Sequence, residues 1–297
     1  MPGTREIRRR IRSITNTRQI TRAMERVAAA RLRRSQQRVL AARPYAQKMR
    51  EVLADLAMHV GPEVAASHPL MQRREVRAIG VIVLTTDRGL CGALNSNTIR
   101  ATLRFLLDRQ STPAQLVTVG RKGPELLRSA AVNIVAEFRD LGDRPTLIDI
   151  LPIVRIAMDG FADGSFDEVH LIYPQFVSTL VQRPTVQQLL PLAGVLPGLM
   201  AGAPDGRPRR EIEFIYEPNA REVLSRLLPR FVEIQVYQAL LETIASEYSA
   251  RMVAMRNATE NATELLEELR LSYNKARQAQ ITREIVEIAT GAQAVSR

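Results

Sequence analysis

Residues Arg230–Thr290, RFVEIQVYQALLETIASEYSARMVAMRNATENATELLEELRLSYNKARQAQITREIVEIAT, contain neither proline nor glycine. An apolar stripe enters at Leu227 and runs through Phe231, Ile234, Leu241, Ile244, Tyr248, Met252 and Met255. Ala258, Ala262, Leu265, Leu269, Ala276, Ile281, Ile285 and Ile288 extend it. Steps of three, four and seven are those of a helix that buries one face. At 1.5 Å per residue such a helix is roughly 90 Å long. No globular domain of this chain's size holds a helix of that length, so the sequence predicts one that projects.

The opposite end of the chain has the same character. Residues 4–58 read as one helix, with Ile7, Ile11 and Ile14 followed by Met24, Val27, Ala28, Leu32, Val39, Leu53 and Leu56. Pro44 is expected to kink or loosen it without ending it, because Tyr45–Ala57 resumes the pattern. Two long helices at the two ends of a chain, joined through a compact middle, pair most economically as an antiparallel coiled coil. The alternative is a pair of amphipathic helices lying on a bundle core, for which the chain supplies little other apolar surface. The stripe is diluted by Arg18, Thr21, Ser35, Gln36, Thr259 and Thr263, so the coil is only loosely specified unless something encloses it.

Between the helices the rhythm changes. Residues 59–75 carry Gly61, Pro62, Ser67 and Pro69 and read as a linker. Ala78–Leu84 is a short apolar run of the kind found in a strand buried on both faces. Helix-like Asn97–Leu107, strand-like Gln115–Val119, helix-like Pro124–Arg128, a strand at Val132–Glu137 and a helix at Thr146–Phe161 follow. Val169–Tyr173 and Phe176–Leu190 read as strands that could pair. This alternation predicts a small Rossmann-like α/β domain over residues 76–192, then a Gly/Pro-rich loop at 193–210 and the C-terminal coiled-coil segment at 211–297.

Composition narrows the class. The single cysteine, Cys91, excludes an internal disulfide framework. No apolar run reaches the length of a membrane span: Leu189–Ala203 is cut by Pro191, Gly194, Pro197 and Gly198. The start has no apolar signal core and no transit segment, which favours a bacterial protein. The formal net charge is +11, and its location matters more than its size. Residues 1–50 hold fifteen basic side chains against Glu6 and Glu25, whereas the remainder holds twenty-seven basic and twenty-nine acidic ones. Arginine does the cationic work, since Lys48, Lys122 and Lys275 are the only lysines.

Catalytic constellations are sparse. His59, His68 and His170 assemble neither a metal cluster nor a nucleophilic triad. Gly120-Arg121-Lys122-Gly123 lacks the spacing of a phosphate-binding loop. The turn Thr86–Asn95 could offer backbone amides to a phosphate, or simply join a strand to a helix with Asn95 or Ser96 as cap. Its glycine spacing does not match the dinucleotide fingerprint. No cofactor and no metal is expected. The basic N-terminal helix leaves open a nucleic-acid-binding coiled coil. The turn at Asp87 and Arg88 leaves open a nucleotide-binding enzyme with a helical extension.

Arg5–Ile14, Asn16–Met24 and Val27–Ala30 resemble the N-terminal helix of the F-type ATP synthase gamma subunits. Asp87–Asn95 resembles that family's central motif, and Glu247–Asn257, Tyr273–Ala279, Ile281–Ile285 and Gly291-Ala292 resemble its C-terminal signature. The matches are collinear and cover both ends and the middle. The resemblance implies a non-catalytic rotor subunit, whose left-handed antiparallel coiled coil turns within a ring of alpha and beta subunits. It implies a foot domain against the epsilon subunit and the ring of c subunits, at the cytoplasmic face of the bacterial plasma membrane. It implies beta-subunit contacts at Arg8, Arg9, Arg22, Met24, Arg251, Gln278, Thr282 and Glu284, with Met24 facing an acidic lever and Arg251 and Gln278 a catch loop. Tyr216 and Glu217 resemble part of the foot. Arg22 stands where the family usually has lysine, and Arg26 where it often has methionine. The lone Cys91 argues against the chloroplast branch and its thiol switch.

Overall fold

The computed structural model describes residues 4–60, 68–192 and 216–295. The loop expected at 193–210, and residues 61–67 of the expected linker, lie outside them. Helix α1 spans Thr4–Val60 and continues through Pro44. The C-terminal helix, here α5, spans Ala220–Val295 and contains Pro229 in its third turn. Asn219 opens α5 by accepting the Glu222 amide on its side-chain oxygen at 2.9 Å, the standard satisfaction of an orphan first-turn donor.

The chain divides into two units, residues 31–250 and residues 1–30 with 251–297. The first holds a five-stranded sheet. Strand β1 is Ile79–Leu84, followed by α2 (Leu94–Leu107), β2 (Ala114–Val119), α3 (Lys122–Leu127) and β3 (Asn133–Phe138). Helix α4 (Leu147–Ala162), β4 (Glu168–Phe176) and β5 (Gln182–Leu190) complete it. The strand order is β3-β2-β1-β4-β5, with β1 parallel to β2 and β4, β2 parallel to β3, and β5 antiparallel to β4. This is the expected Rossmann-like domain, with a reversal of winding between β1 and β4.

Burial explains the order. All six residues of β1 are buried, so it runs down the middle, whereas β3 alternates between exposed and half-buried positions as an edge strand does. Ile79, Val81 and Val83 pack with Ile99, Leu116, Leu127 and Ile172 on one face of the sheet. On the other face a ring replaces a side chain. A Cβ on Gly80 would stand 3.0 Å from Phe166 and one on Gly160 of α4 2.6 Å from it, so these two glycines make room for the aromatic.

Two expectations are corrected. Phe176–Leu190 is not one strand: Val177–Val181 forms the turn of the β4–β5 hairpin, closed where the Ser178 hydroxyl accepts the Leu180 and Val181 amides. Neither Asn95 nor Ser96 caps α2, whose N-cap position is Ala93 with no side-chain hydrogen bond. Asn95 turns back toward β1 instead.

Candidate interaction surface of the paired helices

The turn after β1 is where a nucleotide would have to bind, and its polar groups are committed internally. The Asn95 side-chain oxygen accepts the Thr86 amide at 3.1 Å, while its nitrogen donates to the Thr86 hydroxyl at 2.8 Å and the Cys91 sulfur at 3.3 Å. One Asp87 oxygen accepts the backbone amides of Arg121 and Asp140, tying together the turns that follow β2 and β3. Gly120, at φ +91°, presses so close that a Cβ there would lie 2.3 Å from the Thr85 carbonyl oxygen. This turn holds three strand ends together.

The surface of the second unit is built from α1 before Arg31 and α5 from Arg251 onward. Three ties fix the pairing as antiparallel. The Thr4 hydroxyl donates to the Gln280 side-chain oxygen at 3.1 Å, Thr259 to the Thr21 hydroxyl at 2.8 Å, and Arg256 Nε to Glu25 at 3.0 Å. Ile7, Ala28, Met255, Ala262 and Leu266 are buried along the seam. Thr21 and Thr259, which sequence reasoning takes as dilutions of the stripe, therefore satisfy each other. Nothing local signals that pairing, because it joins residues from opposite ends of the chain.

The expected contact residues fall into groups. Arg8 and Arg9 are exposed within two turns of the Thr4–Gln280 tie, and Gln278, Thr282 and Glu284 are exposed on either side of it on α5. Glu284 accepts the Gln280 side-chain amide at 2.9 Å. Arg22 is exposed and Met24 half-buried beside the Thr21 and Glu25 ties. Arg251 is only 7% exposed. In the other unit, the Tyr216 hydroxyl donates to Asp55 at 2.6 Å and Glu217 is exposed. Burial first, then the Asp55 hydrogen bond, raises the Tyr216 pKa.

Past Gln280, α5 carries exposed Ile281, Ile285 and Ile288. The α1 segment through residue 30 has Arg5, Arg8, Arg9, Arg10, Arg12, Arg18, Arg22 and Arg26 against Glu6 and Glu25, both of which are ion-paired. The net field of that face is positive, and it falls off within about 8 Å at physiological salt. Such a surface offers attraction without a fixed geometry. Among the described residues no cluster of metal-ligating side chains is present, and no helix is long and apolar enough to cross a membrane.

A family model described as ATP synthase matches residues 3–295. The ATP synthase gamma chain of Roseiflexus castenholzii is 50% identical over 300 residues, covering 100% of this chain and 99% of the relative. That of Chloroflexus aurantiacus is 47% identical over 298 residues, covering both chains in full. A chain of the Tetrahymena thermophila mitochondrial ATP synthase central stalk and c-ring superposes with a TM-score of 0.59 at 26% identity, covering 80% of this chain and 99% of that one. A chain of the Euglena gracilis mitochondrial ATP synthase, solved with OSCP, F1 and c-ring, gives a TM-score of 0.68 at 18% identity, covering 98% and 94%.

Proposed function

This chain belongs to the ATP synthase gamma-chain family, and on that footing we propose that it is the central-stalk rotor subunit of a proton-translocating F-type ATP synthase. The observation that carries the reading is the antiparallel pairing of two unlike helices, held by Thr4–Gln280, Thr21–Thr259 and Glu25–Arg256. A pair with different sequences on its two strands has no rotational symmetry. Inside a threefold ring of alpha and beta subunits it presents a different face to each of three identical catalytic subunits. Nucleotide affinity at each beta subunit then depends on rotor angle, a coupling free energy between distant sites.

In this mechanism the chain supplies contacts and no reacting group. Arg8, Arg9 and Arg22 attract acidic segments of beta through charge that does not lock geometry, which suits a contact that must release at every step. Met24 faces beta's acidic lever from its half-buried position. Arg251, Gln278, Thr282 and Glu284 meet the catch loop, and Arg251 has the least surface to offer. Ile281, Ile285 and Ile288 turn against an apolar sleeve, where no hydrogen bond has to break. Tyr216 and Glu217 belong to the foot that meets epsilon and the c-ring. The complex is membrane-bound, with this subunit peripheral to it on the cytoplasmic face.

The nucleic-acid alternative finds no support among the relatives. Reconstitution tests the proposal. Mixed with alpha and beta subunits, the chain is expected to co-purify as one complex with ATPase activity. A chain that stays apart from them, while binding DNA with an affinity that falls steeply with salt, contradicts it.

A further inference from the structure

A rotor's α/β domain must be fastened to its shaft, and the following rests on the rotor reading above. The loop between β3 and α4, residues 139–146, runs alongside the segments of α1 and α5 that belong to the same unit. One oxygen of Asp143 accepts Arg31 of α1 at 2.7 Å, and the other accepts the Tyr248 hydroxyl of α5. Arg31 also donates to the Tyr248 oxygen at 3.2 Å, and its guanidinium stands 5.7 Å from the centre of that ring. The Asp143 carbonyl accepts Arg38 of α1 at 2.6 Å. Two residues on, the Pro145 carbonyl accepts the Tyr237 hydroxyl of α5 at 3.3 Å. Gly142, at φ +74°, turns the chain into this position.

The geometry points to Asp143 as the joint through which turning force passes between the α/β domain and both long helices. Several hydrogen bonds elsewhere in this unit engage α5 alone. Ser246 donates to the Pro174 carbonyl at 2.9 Å, Ser249 to Thr179 at 2.6 Å, and Gln187 to Gln235 at 2.6 Å. All three link the β4–β5 hairpin or its turn to α5. Val39 of α1 reaches the same region through apolar packing with Leu241 and Ala245, with Phe176 against the cluster. Apolar packing is non-directional: it resists separation and yields to sliding. Directional bonds from one carboxylate to both helices resist sliding, because a shift of either helix breaks a charged hydrogen bond.

The two donors, Tyr248 and Arg31, stay protonated at working pH. Burial, then the hydrogen bond to Asp143, pushes the Tyr248 hydroxyl up to about 12, so it keeps its proton as donor. The Tyr248 hydrogen bond raises the Arg31 pKa as well.

The test uses the complete ATP synthase in inverted vesicles, comparing protons pumped with ATP hydrolysed for Asp143→Asn, Arg31→Gln and Tyr248→Phe. Tyr248→Phe keeps the ring and removes only the hydroxyl, so it guards against misfolding. Each variant is expected to hydrolyse ATP at the wild-type rate with a loss of protons moved per ATP. Combining Asp143→Asn with Tyr248→Phe is expected to lose little more than either alone, since one joint is broken in each. An unchanged pumping-to-hydrolysis ratio in all three overturns the joint while leaving the rotor reading intact. Failure of all three to assemble overturns it too, since the cluster is then needed for folding and not specifically for transmission. A wild-type chain that never joins the complex removes the rotor reading itself.

Discussion

Asn95 spends both ends of its carboxamide on the turn after β1, with three hydrogen bonds inside a buried site. Asn95→Ala leaves the Thr86 amide buried without that acceptor, at a cost of about 1–3 kcal/mol. The expected outcome is a lower urea midpoint with an unchanged denaturant slope, since the loss is local and the unfolded surface stays the same. An unchanged midpoint would mean that water takes the vacated place at no cost. The sequence reading puts an asparagine at the right turn and gives it the wrong task. Short-range chemistry favours a cap and an inward-turned bridge alike, and only the approach of β1 decides between them. Arg251, a beta-subunit contact by the family resemblance, is 7% exposed in this chain by itself.

At the scale of elements, legibility follows burial. Ala78–Leu84 is readable as a strand because a central parallel strand is apolar on both faces, and β1 is buried at all six positions. The end of β4 is not readable, because Val177, Leu180 and Val181 look like more strand. Leu180 is 75% exposed at the hairpin turn, and residue type alone does not announce that exposure. The second face of the sheet offers a test in which two effects oppose each other. Gly160 lies inside α4, where Gly→Ala in an open helix gains about 1 kcal/mol. Here the new methyl would meet Phe166 at 2.6 Å, and overpacking costs about 1–3 kcal/mol. Gly160→Ala is therefore expected to lower the thermal midpoint, and Phe166→Leu in the same chain to recover part of the loss. A raised midpoint for the single variant would show that the ring moves aside freely.

At the scale of the whole molecule, α1 and α5 each contribute to both units of the chain. The division of labour was legible in outline from the sequence: long apolar-striped helices at the ends, the first crossed by Pro44, alternating elements between them, and positive charge gathered at one terminus. The fastening between them was not. Arg31, Asp143 and Tyr248 are separated by more than a hundred positions from one another, and no local pattern links them. Only the folded chain brings a loop carboxylate to both helices. On the function proposed above, this chain turns as an asymmetric axle. The most direct test fixes the alpha–beta ring assembled with this chain to a surface, marks an exposed site on the α/β domain with a bead, and follows its angle as ATP is added. Stepwise rotation in one direction is expected, with pauses set by the threefold ring. A bead that only fluctuates about one angle, while the same assembled complex hydrolyses ATP, would contradict it.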